Sequence, residues 1–449
     1  MKNYVALMAA VILPWTLLAQ QPASTEPSEL LLPNGTGVSR PLQPVALVET
    51  PPPIDSSTTV TIEEIRKVVQ SADEVPPKAA QHMANLWYSG EFLLGWSRGG
   101  RLPVLATENF VSGYPSLADP NTRIALGGAR EKPVDRGGAR FTVGWAIGGS
   151  PRAGFEATYD FYGTQTLSES VAGGGTSGRI LGRPLINPAT GAEDVVVVSH
   201  PNLLGRLDMN LSSRIGGWNA LGVVNLFHNE RWSLSALGGY RYFQLNEGLR
   251  LDQSGYYRAQ YADPAINVVA GTPLPVVVHR TLSTDQIDVA NRFHGALLGL
   301  RSEFDYGRFF VSLDAKVSVG RVIEVVKISG QTVSVVEPAS GKVITYYPGG
   351  VYGQYSNSGR YEQSSFGVLP EGILRAGIKF GSHSRLTVGY NFLYLNSVVR
   401  PGDQIDRTVD LTQSTADPLA LRAASRPMVP TDRSAYWLQG LSFGLEWKY

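Results

Sequence analysis

Cysteine is absent from all 449 residues. That excludes disulfide scaffolds, thiolate metal sites, cysteine nucleophiles and a lipoprotein anchor. An excess of either charge is lacking too: 39 Lys and Arg face 38 Asp and Glu, for a net +1, so there is no basic field for nucleic acid. Charged residues make up only 17% of the chain, below the roughly 25% usual for soluble domains. Long apolar runs are missing apart from one at the N-terminus, which excludes a helical membrane bundle. What is plentiful is Gly, at 49, and Tyr, at 20. This balance suits an exported all-β protein.

Met1-Lys2-Asn3 supplies a short positive segment, and Tyr4 to Leu18 is an apolar run of 15 residues, too short to span a bilayer comfortably as a helix. Ala19 offers a small residue for cleavage, with bulky Leu17 two positions earlier. Residues 1–19 therefore read as a signal peptide. Residues 20–85 hold ten prolines, including Pro51-Pro52-Pro53 and Pro76-Pro77, and read as a periplasmic linker that resists packing. Within it, Thr61 and Glu64 form a capping-box pattern, and Ile62, Ile65, Val68 and Val69 share a helical face, which predicts a short helix near 61–73.

From Leu86 the pattern has period two. Trp437, Leu441, Phe443, Leu445, Trp447 and Tyr449 alternate with Leu438, Gly440, Ser442, Gly444, Glu446 and Lys448. Leu386, Val388, Tyr390, Phe392 and Tyr394 alternate with Arg385, Thr387, Gly389 and Asn391. Similar dyads run through 138–148, 153–163 and 309–320. One face is bulky and apolar and the other small or charged, as a strand between two solvents requires.

Strands are expected near 86–97, 138–148, 153–163, 206–227, 232–251, 284–305, 309–327, 365–380, 385–399 and 434–449. Gly216-Gly217 would interrupt the fourth, and 327–347 could add a hairpin outside the membrane. The connections alternate between long (98–137, 164–205, 252–283, 328–364, 400–433) and short (Gly149–Arg152, His228–Arg231, Tyr306–Arg308, Gly381–Ser384). Aromatic residues flank the short ones: Phe227 and Trp232, Phe304 and Phe309, Phe380. Long outer loops alternating with tight periplasmic turns indicate a transmembrane antiparallel up-and-down β-barrel of about ten strands, within a range of eight to twelve, over residues 86–449. The even count places the N-terminal linker and the C-terminus on the periplasmic side of an outer membrane.

Several segments also resemble a known family. Leu386-Thr-Val-Gly-Tyr-Asn-Phe-Leu-Tyr394 runs on to Val399-Arg-Pro-Gly-Asp-Gln-Ile-Asp-Arg-Thr-Val409, and the chain ends Trp437-Leu-Gln-Gly-Leu-Ser-Phe-Gly-Leu-Glu-Trp-Lys-Tyr449. With Gly239-Tyr-Arg-Tyr242, Leu245-Asn-Glu247, Asn291-Arg-Phe-His-Gly295 and Leu102-Pro103, these resemble the planctomycete-type putative beta-barrel porin family, the seventh so labelled, over roughly residues 86–449. The resemblance implies an outer-membrane location and a porin role, and brings no catalytic residues.

The chemistry of the residues points the same way. His82, His200, His228, His279, His294 and His383 are scattered over linker, loops, turns and one strand, with no Ser or carboxylate at a spacing that builds a triad. Gly173-Gly174-Gly175-Thr176 and Gly349-Gly350 do not lie between a strand and a helix, as a phosphate cradle requires. Asp403 and Asp406 are a single carboxylate pair, too little for a divalent ion. No enzyme, cofactor or metal is expected.

The inward positions carry Glu91, Glu156, Asp160, Glu303, Asp314 and Glu446 against Arg140, Arg241, Arg301, Lys316, Arg375, Lys379, Arg385 and Lys448. Signs so mixed predict a paired lumen. Ten strands lie near the count at which side chains fill a barrel. The expected function is a narrow or gated porin for passive diffusion of small solutes. The alternative is a closed barrel serving as a structural, adhesive or ligand-binding surface through its outer loops. Expected partners are outer-membrane lipid, the barrel-assembly machinery during insertion, and small solutes, without nucleic acid.

Overall fold

The computed structural model describes residues 86–448 apart from 111–112, 131–134, 148–151, 261–275, 339–340 and 415–424. The expected signal peptide 1–19, the expected linker 20–85 and helix near 61–73, most of the Gly149–Arg152 turn and Tyr449 lie outside the described residues.

The strands, in chain order, are β1 (Leu86–Ser97), β2 (Val104–Asn109), β3 (Arg123–Gly127), β4 (Asp135–Ala146), β5 (Ala153–Gly173), β6 (Ile180–Ile186), β7 (Glu193–Ser199) and β8 (Leu204–His228). They continue with β9 (Trp232–Gln260), β10 (Val276–Tyr306), β11 (Phe309–Glu337), β12 (Val343–Pro348), β13 (Gly359–Phe380), β14 (Ser384–Val399) and β15 (Arg433–Lys448). Ten of them pair antiparallel in the order β1, β4, β5, β8, β9, β10, β11, β13, β14, β15. The ring closes where β15 meets β1, from Trp87↔Lys448 to Ser97↔Leu438. Closure leaves no strand edge around the ring, the condition for a sheet to sit in hydrocarbon.

The tight turns follow local chemistry. Gly307 and Gly381 have φ of 62° and 70°, left-handed conformations that glycine adopts without a Cβ penalty. Asn229 Oδ1 accepts from the amides of Arg231 and Trp232, and Phe227 packs on Trp232 across that turn, ring centroids 4.9 Å apart.

The outward face carries a belt of large apolar side chains. On β9 it runs from Trp232 to Tyr242; Phe304, Leu300 and Leu298 continue it on β10, and Phe309, Val311, Leu313, Val317 and Val319 on β11. Eleven residues of tilted strand cover roughly 25–30 Å, the thickness of hydrocarbon.

Beyond this belt the structure corrects the expected loops. Residues 164–173, 252–260, 276–283, 328–337 and 359–364 are strand, and pairing continues to Gly173↔Gly205, Gln260↔Val276 and Val278↔Glu337. The reason is an inversion of polarity. On β9, Gln244, Asn246, Arg250, Asp252 and Ser254 now face outward, while Leu245, Leu249 and Leu251 are buried inward. Period two persists with its faces exchanged, so the strands stand above the belt as a water-facing collar with an apolar interior.

Gly216-Gly217 does not interrupt β8. A Cβ at Gly217 would lie 2.6 Å from the Tyr242 carbonyl oxygen and 2.9 Å from the Arg241 guanidinium, so the glycine makes room for the neighbouring backbone and that side chain. The expected hairpin over 327–347 exists as the end of β11 paired with β12, Gln331↔Pro348 to Val336↔Val343.

Segments 98–134 and 174–203, expected to be loops, contribute a second, four-stranded sheet in the order β3, β2, β6, β7. Its Leu105, Leu181, Leu185 and Val198 form one cluster with the inward Leu207 and Met209 of β8 and Leu249 and Leu251 of β9. The sheet therefore lies against the inner wall of the collar as a cap.

Candidate functional site

The candidate site is the lumen. All fourteen charged positions singled out from the sequence lie on the face opposite the exposed apolar belt, and most are bound into chains of ion pairs. Glu91 meets Arg140 at 3.2 Å and Arg375 at 2.9 Å; Arg375 reaches Asp314 at 3.4 Å; Asp314 holds Arg301 at 2.8 Å; Arg301 reaches Glu156 at 2.7 Å. Arg241 spans Asp160 and Glu371, 2.9 Å from each. Nearer the tight turns, Lys379 pairs with Asp305, Arg385 with Glu303 at 3.0 Å and Glu446 at 3.9 Å, and Lys448 with Glu446 at 3.6 Å. Lys316 follows Asp314 on the same face of β11.

Many of these pairs cross the barrel rather than joining neighbours. Arg301 of β10 reaches Glu156 of β5, and Arg140 of β4 donates to Asn391 of β14 at 2.7 Å. Cross-lumen pairs hold the walls together and occupy the space between them.

One step further from the tight turns, the inward face becomes apolar on nine of the ten strands. Leu93 follows Glu91, Tyr162 follows Asp160, Phe243 follows Arg241, Leu369 follows Glu371 and Leu393 follows Asn391, and each is 8% exposed or less. With Ile215, Phe293, Val322 and Leu438 they form one continuous cluster across the lumen. The tenth strand, β4, presents Gly138, where a Cβ would press on Tyr162. Below this layer lies a cavity of about 530 Å³, lined by Glu303, Asp305, Arg385, Glu446, Lys448 and Trp87 among others. The layer ends it.

Above the layer, the long connections are tied to the wall. Arg400 donates to both Glu247 oxygens at 2.6 and 2.7 Å, Arg433 to Glu324 at 2.9 Å, and Asn291 exchanges two hydrogen bonds with Val399. In the cap, Arg183 meets Asp285 at 2.6 Å and lies over the Tyr352 ring at 4.5 Å. Burial pushes the Tyr352 hydroxyl above its ordinary value, so it stays a neutral donor to Pro184 O at 3.0 Å.

Sequence reasoning missed Glu371, the apolar layer and the cap, and placed Asn391 on the polar face of its strand without singling it out. Glu371 was within reach, since it lies on the inward parity of β13 with Arg375. The layer also left a signal: in Phe392-Leu393-Tyr394-Leu395 and Tyr242-Phe243 both parities are apolar, which a wholly polar lumen does not require.

The remaining candidates are used locally. His294 points outward and its Nδ1 lies 2.7 Å from Tyr240 OH; His279 stacks on Tyr257; His383 Nδ1 lies 2.5 Å from Ser382 Oγ. Asp406 accepts from Arg426, Thr408 and Met428, and Asp403 from Ser434.

A closed, antiparallel ten-stranded ring with an apolar belt outside and charge inside defines an outer-membrane β-barrel. The chain belongs to the family described as Putative beta barrel porin-7 (BBP7), whose model matches residues 87–449. No curated protein matches it. Among solved structures it is similar to the outer membrane protease OmpT from Escherichia coli, with 11% identity and a TM-score of 0.37 over 82% of this chain and 97% of that one. It is also similar to the Pseudomonas putida toluene transporter TodX, with 7% identity and a TM-score of 0.19 over 84% and 93%. A third is a Pseudomonas aeruginosa FadL homologue, with 10% identity and a TM-score of 0.20 over 82% and 91%. Likenesses this distant carry no function to this chain.

Proposed function

We propose that this protein is a closed outer-membrane barrel that holds a folded cap of loops at the cell surface and passes no solute in its resting state. The observation that carries this reading is the apolar layer: Leu93, Phe243, Phe293, Val322 and Leu369 are all fully buried in the middle of the lumen. An ion or sugar crossing there would lose its hydration without gaining polar partners, a cost of several kcal/mol per group. The tight turns then face the periplasm, with the 20–85 linker, and the barrel reaches the membrane through the assembly machinery. The protein acts as a structural or ligand-binding surface and catalyses no reaction.

A second reading, a gated porin, is favoured by the charged cavity beneath the layer, which would serve as a solute vestibule if the layer parted. Planar-bilayer recording separates the two. The wild-type protein is expected to give no unitary steps, and the variant Leu93→Ala/Phe243→Ala/Phe293→Ala to give them. Steps from the wild type would overturn the closed reading and establish the channel.

A further inference from the structure

On the collar, four outward cations have a carboxylate beside them, while Arg258 and Lys327, further from the belt, form no ion pair among the described residues. Arg206 pairs with Asp208 at 2.8 Å, Arg250 with Asp252 at 2.7 Å, Arg360 with Glu362 at 2.8 Å and Arg280 with Glu337 at 2.8 Å. Arg214, Arg292 and Arg321 are exposed on the same wall and form no ion pair among the described residues. All three lie where the apolar belt ends.

The register makes that boundary explicit. Trp218 of β8, Tyr242 of β9, His294 of β10, Arg321 of β11 and Phe366 of β13 are successive cross-strand neighbours. Their aromatic members touch: the Trp218 and Tyr242 centroids are 6.2 Å apart, and those of Tyr242 and His294 5.0 Å. On the tight-turn side of this row the outward residues are lipid-like, with Leu298 67% and Val319 46% exposed. On the other side opens a groove of about 390 Å³ lined by Arg214, Arg292, Lys327 and Arg360. The one carboxylate facing outward in the groove is Asp288, already accepting from Gln286; Glu247 beside it turns inward to Arg400.

We infer that this wall binds a phosphate-bearing lipid headgroup of the leaflet on the long-loop side. Unpaired guanidiniums are suited to phosphate, which they bind in bidentate fashion. Aromatic rings at the interface fit the region between headgroup and chains, and the apolar wall below accepts the acyl chains. An acidic protein segment would match the cations but not the hydrocarbon face that continues directly from them. The inference is independent of whether the lumen opens.

The test uses the full chain, purified as a heat-modifiable barrel in a nonionic detergent and assayed for lipid retention by native mass spectrometry. Phosphatidic acid is expected to be retained over a diacylglycerol of the same chains by roughly ten-fold or more, the scale of one charge-assisted hydrogen bond. Arg292→Gln/Arg321→Gln should abolish that preference while keeping heat-modifiability, and Arg250→Gln should leave it intact. Equal retention of both lipids, or an unchanged preference in the double variant, would overturn the site. Displacement of phosphatidic acid by inorganic phosphate alone would overturn its assignment to lipid.

Discussion

Arg183 of β6 and Asp285 of β10 form an ion pair of 2.6 Å in which neither side chain is more than 1% exposed. It joins the cap to the wall of the collar. Asp285 also accepts from the amides of Tyr352 and Gly353 at 2.9 and 2.7 Å, so a single carboxylate gathers two connections. Asp285→Ala strands a buried guanidinium and two amides, and should destabilise the cap by about 3–5 kcal/mol. Arg183→Met should cost less, because Asp285 keeps its amide donors. Denaturant titration and protease sensitivity of residues 174–203 in the folded barrel measure both. The opposite ranking would mean that the pair does not anchor the cap.

The two faces of each strand should differ sharply in their tolerance of charge. Val388 and Leu313 lie on the outer belt, 49% and 48% exposed, and Val388→Arg or Leu313→Arg should cost about 2–4 kcal/mol at mid-membrane depth. Thr387→Arg points into the 530 Å³ cavity beside Glu446 and should be much milder. Equal folding defects in reconstituted vesicles would show that the two faces share one solvent.

Closure depends on the last strand. Six of the eleven registered positions between β15 and β1, Phe92↔Phe443 to Trp87↔Lys448, lie in the final seven residues. Deleting 443–449 should leave export intact and eliminate the heat-modifiable form, because an unpaired edge costs several kcal/mol per group in hydrocarbon. A truncated chain that still migrates as a folded barrel on gels would refute β15 as the closing strand.

Sidedness can be read on intact cells. A protease site inserted at the exposed turn 187–192 between β6 and β7 should be cut from outside, and one at His228–Arg231 should survive until the envelope is opened. Reversed accessibility would place the tight turns outward and move the proposed lipid site to the inner leaflet.

Alternation along β14 and β15 by itself determined that the chain forms strands with an apolar and a polar face. The spacing of short turns gave their number and connectivity, because parity and turn chemistry are properties of neighbouring residues. The inward charges were legible for the same reason. Their partners were not: Glu91 and Arg375 are 284 residues apart, and only the closed ring brings β1 opposite β13. The collar escaped notice because its alternation inverts, and the cap because its short strands β2, β3, β6 and β7 gain their apolar contacts from the barrel wall. Whether inward apolar side chains meet across the lumen was decided by the tertiary structure. It depends on nine inward side chains from nine strands meeting at one level, and the stagger that brings them together is a property of the whole barrel.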